Sequence, residues 1–550
     1  MIGVAVRPNE RDVATEFFEL FKTPWEFYQN GKQYDVVLST SDDLCDNPGR
    51  LLIIFGEGRL DSSSGTNAKT QTGVFIVSDE GRRLPIYESL TTFPAQPRSL
   101  IKEEASQEPA AFITERGGMT ILRVGYNLFS EVRFLLTTGQ PAVNSGIPTV
   151  EEHIGCLRAW ITRAGIPSIE IPPIPNGYNF VGCLTHDIDH PALRNHLCDH
   201  TMFGFLYRSI AGTCLDCCRG RRPLKTLWKN WRAALQLPLV HLGMARDCWS
   251  EFDRYLELEK GHGATFFVIP RKNYPGRMHN GPAPSRRACR YDVDQLLPQL
   301  TRIISTGGEV GVHGLDAWLD VESGRKECEY LADRLGTTEL GVRMHWLFFN
   351  ENSPQMLDRA GFSYDTTVGF RETIGYRTGT TQVYKPFGVK NLMELPLHIM
   401  DTALFYPAYL NLKHDEAKRL VRGLLNETEQ IGGVLTINWH DRSIAPERLW
   451  DDFYLNLLGE LKSRGAWLPN AARAVAWFRK RRAARLEWSW SGPDTIRIRG
   501  QQDLVDALPG LKIRIFKPRA QSLSEAIGAR KAPAFVDKAF DRTTHLALAL

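Results

Sequence analysis

The sequence predicts an α/β fold built on a parallel, barrel-forming sheet, and three observations carry that expectation. Seven short apolar runs lie between Phe180 and His440: Phe180–Thr185, Ala264–Ile269, Glu309–His313, Leu340–His345, Phe362–Asp365, Met393–His398 and Gly433–His440. Helical patterns alternate with them, as in repeated β/α units. Each run also ends in a polar or ionisable residue. Together they deliver Asp187 and Asp189, then His313, Arg343 with His345, Asp365, His398 and His440. In a closed β/α barrel the strand ends converge on one mouth, which is where such a fold keeps its chemistry. Core packing alone does not place charges so regularly.

Residues 1–175 read as a separate α/β accessory module. Strands are expected at Tyr34–Ser39, Leu51–Phe55 and Val74–Val77, with polar connections such as Asp61–Thr66. Helices are expected through Phe129–Leu136 and from Val150 to Ala164, the second capped by Thr149. The proline-rich stretch Pro167–Asn176 reads as a stiff linker. The barrel region, 177–485, is interrupted by an insertion at 191–245 before the helix Cys248–Lys260. The insertion interleaves Arg219, Arg221, Arg222, Lys225, Lys229 and Arg232 with Trp228 and Trp231. That composition suits a solvated helical face, or peripheral contact with an anionic membrane. The basic run Arg479–Arg482 closes the last helix, where cations suit the dipole. After Leu486, alternation through Trp488, Trp490, Ile496 and Ile498 predicts a small β-rich C-terminal appendage over 486–550 with a loosely structured end.

The bulk numbers narrow the function classes. At 550 residues the chain is long enough for two or three domains. Its 43% hydrophobic and 24% charged fractions are ordinary for a soluble globular protein. A formal net charge of +4 gives no reason to expect a nucleic-acid partner. Ten dispersed cysteines suit reduced thiols and a cytoplasmic setting, peripheral at most to the inner membrane face. No apolar run is long enough to span a bilayer, and no secretory leader is apparent. Cys214, Cys217 and Cys218 lack a second ligand pair at metal spacing, so idle thiols are expected there.

Asp187 and Asp189 stand two apart on an extended strand, so both side chains share the mouth. Adjacent carboxylates repel unless a cation lies between them, although two aspartates capping the next turn account for the pair equally. His313 arrives from another strand end, and carboxylate plus imidazole at an open site suits Zn2+ or a similar divalent ion. Arg343 is placed to orient a carboxylate, and His440 to act as a general acid.

With these residues in place, segment 177–485 resembles the polysaccharide deacetylase (NodB-homology) family of the carbohydrate esterase group. The resemblance runs through Ala264–Val268, Gly308–His313, Phe362–Thr367, Glu394–Leu397 and Leu435–His440. It implies a distorted (β/α)7 barrel and metal-dependent removal of an N-acyl group from an aminosugar in a polysaccharide or lipid-linked glycan. It further implies Asp187 as general base with Arg343 as partner, Asp189 and His313 as metal ligands, and His440 as general acid. The chain departs from the pattern at Ala317, where the family carries a second histidine ligand. Asp316, His345 or His186 are the available substitutes, with His345 preferred because it replaces the family's proline after the motif arginine. A barrel that has lost its metal and only binds a glycan or lipid-linked sugar is the alternative.

Overall fold

The computed structural model describes every residue except 41–48, 57–67, 80, 81, 94, 95, 97, 221, 493, 494, 503–506, 519–533, 541, 542 and 550. The connection Asp61–Thr66 and Arg221 therefore lie outside the described residues. The chain divides into two compact units: 1–177 with 376–387 and 476–550, and 178–375 with 388–475. The expected boundaries at 175 and 486 differ from these because two later segments group with the N-terminal unit.

In the second unit, eight strands form one sheet whose neighbours all run parallel. The order is Met393–Glu394, Tyr364–Asp365, Gly341–Met344, Glu309–Gly314, Thr265–Val268, Phe180–Ile188, Val434–Asn438 and Ile399–Met400, and Ala466–Trp467 adds a short ninth strand beside Phe180–Ile188. Every residue of Phe180–Ile188 is buried, the mark of a strand covered on both faces. The two edge strands are consecutive in sequence, joined only by Leu395–His398. Four residues reach at most about 18 Å between strand ends, whereas eight flat strands would span roughly 34 Å. The sheet must therefore curl until its edges nearly meet. The bridging residues secure that closure, since Leu395 N donates to Asp365 O (2.8 Å) and His398 N to Thr436 O (3.1 Å). Of the expected run Met393–His398 only Met393–Glu394 is strand, and the further strand Ile399–Met400 beyond its end makes the count eight.

Close approach fixes one position in this sheet. A Cβ on Gly341 would stand 1.9 Å from the Tyr364 ring, so no side chain fits there. The helix expected at Cys248–Lys260 is shorter, Phe252–Leu258. The insertion folds as a helix over 200–218 with a π turn at Arg208–Gly212, followed by the helix Lys225–His241.

The first unit holds a mixed nine-stranded sheet, with helices Arg11–Phe21, Leu128–Thr137 and Thr149–Arg163. Thr149 is the first helical residue and caps nothing; its hydroxyl donates to Gln140 Oε1 (2.6 Å). The stretch expected as a linker contains a buried strand, Ser168–Glu170, paired antiparallel with Leu511–Phe516. The expected loose end contains strands Phe535–Phe540 and Thr543–Ala549. Arg481, expected only to suit the dipole at the end of the last helix, is fully buried and donates to Ile171 O, Glu19 O, Leu20 O and Gln382 Oε1. Those carbonyls belong to segments far apart in sequence, so helix periodicity could not announce them. Among the described residues no helix is long and apolar enough to cross a membrane.

Candidate active site

The strand ends Asp187, Asp189, His313, His345 and His440 line one cavity of about 400 Å³ in the second unit. Asp189 Oδ1 lies 3.4 Å from His313 Nε2 and 3.3 Å from His345 Nδ1, and the two ring nitrogens are 2.9 Å apart. The opposite nitrogen of each ring is spoken for: His313 Nδ1 donates to Arg343 O (2.8 Å) and His345 Nε2 to Arg287 O (3.1 Å). A carbonyl only accepts, so those nitrogens carry protons, and in the neutral ring the facing nitrogen presents a lone pair. Burial holds His345 neutral, pushing its pKa down to about 3.

Three lone-pair donors thus converge with no proton of their own between them. Asp189 Oδ1 is buried and accepts no hydrogen bond. This arrangement is repulsive without a cation at its centre. A tetrahedral ion with bonds of about 2.0 Å sets its ligand atoms about 3.3 Å apart, close to the observed separations. The donor set therefore fits a divalent metal, and backbone carbonyls fix both rings from behind, as metal-binding imidazoles require. It is the single group of this kind among the described residues, so nothing comparable gathers around Cys214, Cys217 and Cys218.

Backbone strain sits at the same place. Immediately after His345, Trp346 (φ 62°) and Leu347 (φ 51°) both occupy the left-handed region and both line the cavity. Side chains other than glycine rarely adopt this conformation, and such outliers gather at functional sites.

Asp187 stands beside the triad and is held by two partners. Arg343 Nη1 donates to Oδ1 (3.0 Å) and Asn438 Nδ2 to Oδ2 (2.7 Å). Burial would raise its pKa, but His313, Arg343 and His440 together keep it below the usual value. Arg343, itself fully buried, also donates to Thr185 Oγ1, Thr366 O and Thr366 Oγ1. Across the cavity, His440 Nε2 lies 4.0 Å from both Asp187 Oδ2 and Asp189 Oδ2. Its Nδ1 donates to Asp401 Oδ1 (2.6 Å), while Asp401 Oδ2 accepts from His440 N (2.7 Å) and from the Ser443 hydroxyl. Burial opposes the charged ring, but Asp401, Asp189 and Asp187 outweigh it and raise the His440 pKa to about 10.

Three of the strand-end residues do not line the cavity: Arg343 lies behind Asp187, and Asp365 and His398 are engaged elsewhere. Asp365 is bound to Thr367 and sits beside Glu394, and His398 accepts from Thr436 N (3.2 Å). The other two candidate substitutes for Ala317 are occupied elsewhere. Asp316 accepts from Arg277 N (2.7 Å), and His186 joins Glu259 (2.9 Å) to Trp439 O (2.7 Å).

Sequence reasoning missed Asp401, which opens the helix Asp401–Phe405 directly after an edge strand. A strand-end carboxylate was the available signal, masked because the expected run ended at His398. It also missed the cationic wall formed by Arg208, Arg286, Arg371, Arg442 and Arg448, all lining the same cavity. Buried Glu447 takes Arg208 in a two-point contact (2.9 and 3.3 Å), while Arg442 Nη1 is buried without a hydrogen-bond partner.

No family model matches the chain, and no curated protein matches it. Among solved structures, similar folds include a protein assigned as a polysaccharide deacetylase from Mycobacterium smegmatis, at 19% identity and a TM-score of 0.34, covering 56% of this chain and 94% of that one. The Puue allantoinase is similar at 13% identity and a TM-score of 0.33, covering 56% of this chain and 93% of that one. A 4-alpha-glucanotransferase from Thermococcus litoralis is similar at 13% identity and a TM-score of 0.32, covering 54% of this chain and 40% of that one. Shape likeness at this level reaches proteins of different chemistry and carries no information on activity.

Proposed function

We propose that the second unit is a metal-dependent amide hydrolase, a distorted β/α barrel that removes an N-acyl group from an aminosugar in a polysaccharide or lipid-linked glycan. The observation that supports it is the convergence of three proton-free donors, Asp189 Oδ1, His313 Nε2 and His345 Nδ1, beside an ionised Asp187 and a protonated His440. These residues would hold the cation, Zn2+ by its donor chemistry, and it would supply Lewis acidity and a more acidic water. Asp187, oriented by Arg343 and Asn438, accepts the proton of the attacking water. His440, oriented by Asp401, gives its Nε2 proton to the departing nitrogen, so the amide C–N bond breaks to a carboxylic acid and a free amine. At neutral pH both groups rest in the protonation state the reaction needs. The cationic wall would receive an anionic substituent of the substrate, a phosphate or a carboxylate.

The test is acetate release by Zn2+-loaded protein from N-acetylglucosamine oligomers and from an N-acetylglucosaminyl lipid. Release abolished in Asp187→Asn and in His440→Gln supports the hydrolase. Tight sugar binding with no release from either substrate, by protein shown to hold its metal, replaces it with the silent sugar-binding barrel.

A further inference from the structure

The insertion carries an apolar face that the fold does not use. On the helix Lys225–His241, Ala233, Leu237 and Val240 are buried, and Ala233 and Leu237 pack with Phe205 and Trp249 in a small core. A second stripe, Leu224, Trp228, Trp231, Leu235, Leu239 and Leu242, repeats at intervals of three and four and is exposed; Trp228 and Leu235 are 77% and 80% accessible. A helix with one core face needs only one apolar stripe.

The preceding helix repeats the pattern. Phe203, Tyr207, Ile210 and Leu215 are exposed, and the π turn at Arg208–Gly212 adds the residue that brings Leu215 rather than Cys214 into line. Twelve of the 21 exposed large apolar residues among the described residues fall between Leu197 and Met244. Scattered exposed apolar residues are ordinary, but such a concentration marks a contact surface.

Charge decides what it contacts. Between His200 and Arg246 the sequence has eight Lys and Arg and one acidic residue, Asp216. Lys225, Lys229 and Arg232 flank the exposed tryptophans at the same helical spacing. Self-association would set this cationic face against its own copy, since a two-fold contact pairs like with like. Paired tryptophans, an apolar stripe and flanking cations on a helix too short and charged to cross a bilayer are what an interfacial helix requires.

We propose that the helices of 200–244 form an in-plane docking face for an anionic phospholipid bilayer. The same element supplies His200, Thr201 and Arg208 to the wall of the cavity that holds Asp189 and His440. Docking therefore brings the cavity mouth to the headgroup plane. If the hydrolase reading holds, its substrate is a sugar carried on a membrane lipid, and that consequence alone rests on the hydrolase reading.

The full-length protein is sedimented with vesicles of phosphatidylcholine alone and of phosphatidylcholine mixed with phosphatidylglycerol. We expect binding to the mixed vesicles, weakened by salt, with a blue shift in tryptophan emission. The surface variants Trp228→Glu/Leu235→Glu and Lys229→Glu/Arg232→Glu should each weaken binding by about tenfold or more, their exposed positions leaving the fold intact. Asp189→Ala should bind vesicles as the wild type does, so failure of the hydrolase leaves docking standing, and the reverse. Equal binding of wild type and both variants, or no binding to mixed vesicles, overturns the proposal. So does a solution dimer that Leu235→Glu dissolves in protein that ignores vesicles.

Discussion

Asp401→Asn isolates the group that keeps His440 charged. Raising that histidine from 6.5 to about 10 corresponds to roughly 5 kcal/mol in favour of the imidazolium, at about 1.4 kcal/mol per tenfold change. Burial works against the charge, so the neighbouring carboxylates supply more than the net. Asp401 is the nearest of them, 2.6 Å from Nδ1, against 4.0 Å from Nε2 for Asp187 and Asp189. Removing its charge while keeping its volume should lower the His440 pKa by about 2 or more, to about 8 or below. The assay is an NMR titration of ring-labelled histidine on metal-free protein, with the His440 resonance identified by its absence in His440→Gln. A dication at the triad adds positive charge near Nε2 and should lower the value further in both proteins. In turnover, the alkaline limb of kcat/KM should move down by the same interval. A His440 pKa still near 10 in folded Asp401→Asn protein would refute the assignment of Asp401 as the positioning residue.

Four further expectations follow from the same geometry. Asp189→Ala and His345→Ala should each lose stoichiometric Zn2+ by elemental analysis after dialysis, while Asp316→Ala, whose carboxylate is held by Arg277, should retain it. Arg343→Met leaves the Asp187 carboxylate buried without its cation and should cost about 3–5 kcal/mol in chemical denaturation, whereas unchanged stability would mean the pair is already solvated. His186→Phe should destabilise by about 1–3 kcal/mol because Glu259 loses one of its two side-chain partners, Tyr454 remaining, and adding Glu259→Leu should recover part of that loss in a double-mutant cycle. His440 also links stability to pH. Its raised pKa contributes stabilisation that is complete below about 6.5 and is lost as pH rises through about 10, so metal-free wild type should lose more stability than His440→Gln across that window.

The parallel sheet was legible because its strands are buried on both faces. Each had to be a short apolar run, and the charge at its end had to be tolerated at a mouth. The same logic placed Asp187, Asp189, His313 and His440 together, and the replacement of the family's proline by His345 pointed to the third member of the donor cluster. The break at Leu395–His398 was not legible: an edge strand and the bridging segment after it look like one run until the curl of the sheet separates them. With that break went Asp401. The buried strand at Ser168–Glu170 was hidden for a related reason, since its partner Leu511–Phe516 lies more than three hundred residues away.

Sequence alone determined which residues could do chemistry here and at which end of which strand, because local periodicity and burial fix where a side chain points. Tertiary structure alone decided which of them meet. Whether Asp316, His186 or His345 completes the triad, and whether a helix carries a second apolar face to the surface, depends on contacts between segments remote in the chain. Local pattern encodes direction, and only closure of the sheet sets distance.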